Sequence, residues 1–148
     1  GHFGLPVASG LVELVNGVER RLPNDKFFVP GSVLSMDVDP SHPLAYGFDG
    51  TVDVMWQNSP ALKLGPNALL KGVRPVGWIS TDTPLRSGWA WGQQYLKGLV
   101  TALDVSYGKG KVFIFTPEIT FRAQPHATFK FLFNGIYYGG AKAVALPK

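Results

Sequence analysis

The chain has 148 residues, of which 45% are hydrophobic, 13% aromatic and 16% charged, and its formal net charge is +4. This apolar balance excludes an intrinsically disordered protein, and the length is sufficient for one domain with a buried core. The basic residues are scattered without a basic run, and the absence of Cys excludes disulfides, thiolate metal sites and a Cys nucleophile. We therefore expect no nucleic-acid partner, and no apolar run is long enough to predict a membrane span.

The first third of the chain predicts short strands separated by turns. Asn16 and Gly17 lie between two apolar runs. They predict a hairpin of 10–15 with 18–22, because both central residues of a type I′ turn need positive φ. Alternating apolar and polar residues predict two further strands, at 33–38 and 51–56.

The middle of the chain is rich in Pro and Gly. Residues 73–79 predict a strand that contains Pro75, and we expect it at a sheet edge because Pro has no N–H to donate. Residues 89–96 predict a short helix of about two turns, which Gly98 would end in the left-handed conformation.

The segment 99–138 is the predicted packing centre. Two strands, 99–105 and 111–116, are joined by a Gly-containing turn, and the uninterrupted VFIF run predicts a strand covered on both faces. A helix with an apolar stripe follows, and we expect that stripe to dock on the VFIF strand. The residues of the stripe are Phe129, Leu132, Phe133, Ile136 and Tyr137.

These elements predict a strand-rich α/β or α+β fold, with six to eight strands, two or three helices and a C-terminal amphipathic helix packed on the sheet. We expect 1–148 to form a single domain, with 141–148 as a frayed tail. Its start, GHFGLPV, resembles a cut inside a longer chain, so a secretion signal would lie outside these residues.

The sequence predicts no metal site and no catalytic residue. The three His residues, His2, His42 and His126, stand in no HxxE, HExxH or HxH arrangement. His42 follows Asp39, Pro40 and Ser41, but adjacent side chains point apart and no GxSxG elbow is present. We interpret 39–42 as a turn stabilised by hydrogen bonds to the backbone.

Two groups of residues are candidates for ligand binding. Arg122, Gln124 and His126 follow the VFIF strand, where polar side chains line the ligand crevice of an open α/β sheet. The alternative, which we favour, is a structural polar cluster that holds this corner together. Four Trp residues are candidates for an aromatic platform, although core packing is the commoner role of such residues. They are Trp56, Trp78, Trp89 and Trp91.

Four segments together carry a family resemblance: FFVPGSVL at 27–34, DPSHPLAYG at 39–47, SGWAWGQQYLKG at 87–98, and GKGKVFIFTPEITFRAQPHATFKFLFN at 108–134. They resemble the C-terminal region of bacterial M14-family zinc carboxypeptidases, in which a glutamine-amidotransferase-like domain follows the peptidase domain. The resemblance covers about 5–138, and its most specific part is the FRAQ, His and TFK segment.

The resemblance implies a partial flavodoxin-like or class I glutamine-amidotransferase-like domain, the later part of a larger α/β domain. It implies an extracellular or periplasmic parent whose zinc is held by an upstream peptidase domain. That zinc site uses an HxxE pair and a later His, which are not in this sequence, and the amidotransferases use a Cys nucleophile, which this chain lacks. Neither activity transfers to residues of this chain.

We therefore expect a non-catalytic accessory domain of a zinc carboxypeptidase, with no cofactor of its own, that serves interdomain packing or substrate positioning. Its partner would be the upstream peptidase domain of the same chain. Self-association through an exposed sheet edge is also expected. The alternatives are a peptide- or carbohydrate-binding module that uses the Trp residues or the loop from Arg122 to His126, and a cryptic hydrolase that uses His42 or His126.

Overall fold

The computed structural model describes residues 4–142 and residue 144, and within them the fold is a strand-rich α+β fold with one C-terminal α-helix. The described part contains ten strands, more than the six to eight expected, and five short 3₁₀ helices. The strands are β1 Val7–Ser9, β2 Val12–Val15, β3 Val18–Arg21, β4 Ser32–Val38, β5 Thr51–Trp56, β6 Leu62–Leu64, β7 Val73–Trp78, β8 Leu85–Ser87, β9 Val100–Tyr107 and β10 Gly110–Phe115, and the helix is α1 Phe129–Gly139.

Eight strands form one sheet in the order β1-β6-β9-β7-β4-β5, with β10 added beside β9 and β8 beside β4. Every pairing among the described strands is antiparallel. The strands β9 and β4 are the two centres of the sheet, because each pairs with three others. A flavodoxin-like sheet is parallel, so the described strands agree with the coarse expectation of a strand-rich fold and not with that finer arrangement.

The remaining two strands, β2 and β3, form the predicted hairpin as a separate sheet. Asn16 and Gly17 have φ values of 53° and 78°, as a type I′ turn requires. The strand predictions at 33–38 and 51–56 are also confirmed, by β4 and β5.

The prediction of a sheet edge for β7 is wrong, because β7 lies between β9 and β4. Its register with β9 shifts between Pro75 and Gly77. A bulge places the Pro nitrogen where no ladder hydrogen bond is required, which lets an internal strand contain Pro.

The predicted helix at 89–96 is also wrong, since only Gln93–Leu96 forms a 3₁₀ turn. Trp91 instead pairs with Phe28 in an isolated antiparallel bridge. Gly92, at φ +73°, turns the chain from this extended segment into the 3₁₀ turn. Tertiary pairing has therefore replaced the local helical preference.

The helix α1 docks on β10 as expected, but with a different face. Phe131 is fully buried, with its ring centroid 5.2 Å from that of Phe115, and Tyr138 stacks on Phe113 at 5.8 Å. Gly135 is also buried on this face. Four residues of the predicted stripe point outward instead: Leu132, Phe133, Ile136 and Tyr137.

The expectation that VFIF is covered on both faces is also wrong. Val112 is 46% exposed and the other three residues of the run are half-buried, so the described residues leave this strand partly open to solvent. The core lies where α1 and the segment after β4 cover the sheet, around Leu34, Leu44 and Phe131. No helix within the described residues is long and apolar enough to cross a membrane.

Of the predicted frayed tail, only residues 141, 142 and 144 are described, and they are exposed. The rest of that prediction lies outside the described residues.

Candidate functional site

A buried carboxylate lies at the centre of the most polar part of the core. Asp104 is in the middle of β9 and only 1% of its surface is exposed. Three polar atoms lie within contact distance of its Oδ2: Lys111 Nζ at 3.0 Å, the Tyr138 hydroxyl at 3.2 Å and His42 Nε2 at 3.3 Å. A carboxylate without water is costly unless it is paired and hydrogen-bonded, and here three elements supply the partners. We call these four residues the Asp104 cluster.

Both ring nitrogens of His42 have a polar partner. Nδ1 accepts a hydrogen bond from the Leu44 backbone N–H at 3.2 Å and caps the 3₁₀ turn Pro43–Ala45. Nε2 faces Asp104 and therefore carries the proton of the neutral ring. Burial lowers the pKa of His42, and the charge of Asp104 opposes this shift without reversing it.

Lys111 and Tyr138 close the cluster from β10 and α1. Burial alone would lower the pKa of Lys111, but its hydrogen bonds to Tyr138 and Asp104 and the carboxylate charge raise it overall. Lys111 Nζ also lies 4.6 Å from the centroid of the Tyr138 ring, and His42 meets that ring edge-on at 5.7 Å. Lys111 and Asp104 therefore form an ion pair at the centre of the cluster.

A cleft of about 730 Å³ borders the cluster. His42 and Tyr138 separate it from Asp104, and the outer wall is formed by Tyr46 and Tyr137, which are 77% and 81% exposed. Asn134 lies across the cleft and donates to the carbonyl oxygens of Leu44 and Tyr46, at 3.0 and 2.9 Å. Among the described residues that line it, none is an Asp, Glu, Lys or Arg.

The arrangement does not provide an activated nucleophile. Ser41 is the hydroxyl nearest His42 in sequence, but its Oγ donates to Asp39 Oδ1 at 2.6 Å, and its N–H donates to the same atom at 2.9 Å. These bonds lower the pKa of Asp39, and they confirm the predicted turn at 39–42. A general base would need a free nitrogen, and both nitrogens of His42 already have partners.

The second predicted group, Arg122, Gln124 and His126, is exposed on the corner between β10 and α1. Gln124 and His126 line a separate cleft of about 350 Å³ beside β5, whereas Arg122 lies over the Phe121 ring at 5.1 Å. The corner itself is fastened by Thr128, whose hydroxyl lies 2.5 Å from the Ile119 carbonyl oxygen and 2.8 Å from that of Pro125. Sequence reasoning missed Thr128.

The four Trp residues do not form one platform. Trp56 is fully buried in the core, so its inclusion in an aromatic platform was wrong, and Trp78 is half-buried on β7. Trp89 and Trp91 are each 53% exposed, and Trp91 lines the same cleft as Tyr95, which is 43% exposed. Only this second pair remains available to a ligand.

Sequence reasoning did not single out Asp104, Lys111 or Tyr138. The available signal was a carboxylate between the apolar residues Leu103 and Val105 in the middle of β9, since a buried Asp requires partners. Within residues 4–142 and 144, no three His, Asp or Glu side chains converge as a metal site would require.

Comparison of the chain with protein families, curated proteins and solved structures finds no match to a family model, a curated protein or a solved structure.

Proposed function

We propose that this chain is a non-catalytic accessory domain that docks onto a neighbouring domain through the outer face of α1. The observation that carries the proposal is the exposure of Leu132, Phe133, Ile136 and Tyr137, at 42%, 54%, 65% and 81%. These residues lie one or three positions apart along one helix and form a continuous apolar surface. A surface of this kind on a folded domain marks an interaction site.

The resemblance to M14-family zinc carboxypeptidases supports one choice of neighbour, the upstream peptidase domain of the same chain. In this proposal the parent protein cleaves peptides with a zinc-activated water held in the peptidase domain. The present chain supplies packing or substrate positioning. The finer fold proposal, the later part of a glutamine-amidotransferase-like domain, rests on the same resemblance alone.

The state of the polar core supports the non-catalytic part of the proposal. Oδ2 of Asp104 is contacted by Lys111, Tyr138 and His42, and both nitrogens of His42 have partners. A group that must accept or release a proton during a reaction needs access to substrate, and Asp104 is buried.

The docking role is tested in the intact parent protein by placing a charge on the proposed interface. Phe133→Glu should loosen the contact between domains, so that hydrogen exchange of α1 becomes as fast as in the isolated chain. Leu70→Glu is the matched control, because Leu70 is 86% exposed on a different element and its substitution should leave α1 protected. Equal exchange of α1 in the intact parent and in the isolated chain would contradict the docking role.

The parent assignment has its own tests. An HxxE motif followed by a distant His upstream of Gly1 supports a zinc carboxypeptidase parent, and its absence removes that parent. The isolated chain should not hydrolyse peptides with or without zinc. If the isolated chain hydrolyses peptides and His126→Ala or His42→Gln abolishes that activity, the accessory role is wrong and the chain is a hydrolase.

Two further proposals concern binding. A peptide- or carbohydrate-binding module is favoured by the exposure of Trp89 and Trp91, and saturable quenching of their fluorescence by a ligand tests it. Self-association through a sheet edge is proposed because β5 and β10 each have one described neighbour, and light scattering would detect it.

A further inference from the structure

Trp91 is held rigidly although half of its surface faces solvent. Its backbone N–H donates to the Phe28 carbonyl oxygen and its own carbonyl accepts from the Phe28 N–H, both at 3.0 Å. Its indole Nε1–H donates to the Asp25 carbonyl oxygen at 2.6 Å. Three hydrogen bonds thus fix both the backbone and the ring, so that little rotamer entropy remains to be lost when a ligand binds.

The chain on both sides of Trp91 is fixed in the same way. The backbone N–H of Trp89 donates to Ser32 Oγ at 2.9 Å, and the Ser32 hydroxyl donates to the Trp89 carbonyl oxygen at 2.5 Å. On the other side, a Cβ on Gly92 would lie 1.9 Å from the Lys26 carbonyl oxygen, so only Gly permits this close approach. The exposure of the two indoles is therefore part of the folded geometry.

A recess of about 400 Å³ opens beside Trp91. The residues that line it include two aromatic residues, Trp91 and Tyr95, together with polar residues. The volume falls in the range of about 300 to 1,000 Å³ that small-molecule sites occupy. The polar lining residues with exposed side chains are Asp25, Lys26 and Gln94.

We propose that this recess binds one or two rings of a neutral saccharide, an inference that rests on the carbohydrate-binding alternative proposed above. A pyranose has an apolar face of C–H bonds that stacks on an aromatic ring, and hydroxyl groups around its rim that need donors and acceptors in one plane. Trp91 and Tyr95 provide rings, the Asp25 carboxylate accepts, and the Gln94 amide both donates and accepts. The ammonium of Lys26 is already paired with the Glu13 carboxylate, which removes the main attraction for an anionic sugar.

The same contacts argue against an extended peptide as the ligand. A peptide that adds to a strand needs free backbone donors and acceptors, but those of Trp91 are paired with Phe28. The Gln93 side chain, which also lines the recess, is occupied because its Oε1 accepts from the Leu85 N–H at 3.0 Å. The lining of the recess shares no residue with the outer face of α1, so saccharide binding does not depend on the proposed docking role.

The test is a titration of the chain with three neutral trisaccharides of different linkage, cellotriose, maltotriose and chitotriose. Binding is followed by Trp fluorescence and by the indole N–H resonances in nuclear magnetic resonance spectra. At least one sugar should produce a saturable change below about 10 mM, centred on the Trp91 indole. Trp91→Ala and Tyr95→Ala should each weaken that binding roughly tenfold or more, because each removes a stacking surface.

Tyr46→Ala is the matched control, since Tyr46 is an exposed aromatic residue outside the recess and its loss should leave the affinity unchanged. Circular dichroism confirms that each variant is folded, and Gln94→Ala provides a third variant with the aromatic rings intact. The proposal is overturned if none of the three sugars gives a saturable change. It is equally overturned if Tyr95→Ala and Gln94→Ala bind like the unmodified chain, or if a proline-rich peptide occupies the Trp91 site more tightly than every sugar.

Discussion

The Nε2 atom of His42 lies 3.3 Å from Oδ2 of Asp104, and this contact joins the turn after β4 to the middle of β9 inside the core. Because Nδ1 of the same ring accepts from the Leu44 N–H, the neutral ring is a structural link between the two segments. A second proton would have to replace one of these two hydrogen bonds, most directly the cap of the 3₁₀ turn. The stability of the chain should therefore depend on the protonation of a single ring.

The first prediction concerns pH. Burial lowers the pKa of His42 from its usual value of 6.5, so the unfolded chain binds this proton more readily than the folded chain. The free energy of unfolding should be fully retained above about pH 6.5 and should fall as the pH drops through the interval down to the lowered pKa. Urea unfolding measured at several pH values tests this.

The groups that face His42 are Asp104, Lys111, Asp39 and the Tyr138 ring. His42→Gln should flatten the pH dependence below about pH 6.5, whereas His126→Gln, at an exposed position, should preserve it. A pH profile that is the same in His42→Gln and in the unmodified chain would assign the effect to another group.

The second prediction concerns the charge of Asp104. Asp104→Asn should destabilise the fold by roughly 2–3 kcal/mol, because it leaves Lys111 without its counter-charge. The value is set below that for a fully buried pair because the Lys111 side chain is 26% exposed. Asp53→Asn is the control: its pair with Arg86 is more than half exposed, and its loss should cost about 0.5 kcal/mol or less. Urea unfolding measures both variants. A similar decrease in the free energy of unfolding for Asp104→Asn and Asp53→Asn would contradict the larger contribution assigned to Asp104.

The third prediction concerns the close approach of α1 to β10. A Cβ on Gly135 would lie 3.2 Å from Cδ2 of Phe113 and 3.6 Å from Cδ2 of Leu44, so there is no room for a branched side chain. Gly135→Val should destabilise the fold by about 2 kcal/mol through overpacking. A Cβ on Gly139 would lie 3.5 Å from Phe113, which is an ordinary contact distance. The stability of Gly139→Ala, measured by thermal unfolding, should therefore be unchanged or up to about 1 kcal/mol higher. A stable Gly135→Val variant would mean that α1 does not pack this tightly.

The fourth prediction separates backbone conformation from crowding. Gly92 and Gly98 have nearly equal φ values, +73° and +77°, but a Cβ has nothing within 4 Å at Gly98 and a carbonyl oxygen at 1.9 Å at Gly92. Gly98→Ala should cost about 1 kcal/mol from the left-handed conformation alone. Gly92→Ala should cost at least about 3 kcal/mol and should shift the Trp91 indole resonance. If chemical denaturation shows the same decrease in the free energy of unfolding for Gly92→Ala and Gly98→Ala, the turn at Gly92 relaxes freely.

The strands could be predicted where a local signal was sufficient. The Asn16–Gly17 turn and the alternation in β4 and β5 depend on residues that are adjacent in sequence, and these predictions are confirmed. The position of β7 could not be predicted in this way, because a bulge at Pro75 depends on how β9 pairs with it.

The orientation of α1 shows why the most apolar stripe is not always the buried one. The face that packs on the sheet includes Asn134 and Gly135, which lower its hydrophobicity. Gly135 permits close contact with Phe113, and the Asn134 amide satisfies two carbonyl oxygens after β4. Both contributions depend on tertiary neighbours that no sequence period reveals. The Asp104 cluster was missed for the same reason, since two of its three partners, His42 and Tyr138, are far from Asp104 in sequence.

The place of β9 in the sheet has a consequence for synthesis on the ribosome. Among the described strands β9 is the last but one in sequence, yet it pairs with β6, β7 and β10, and in that set it alone connects the β1–β6 pair to the rest of the sheet. A nascent chain that ends before Val100 therefore exposes the unpaired edge of β7. Such an edge invites pairing with other chains, so translational pausing ahead of β9 should promote aggregation, and rapid emergence of the β9–β10 hairpin should suppress it.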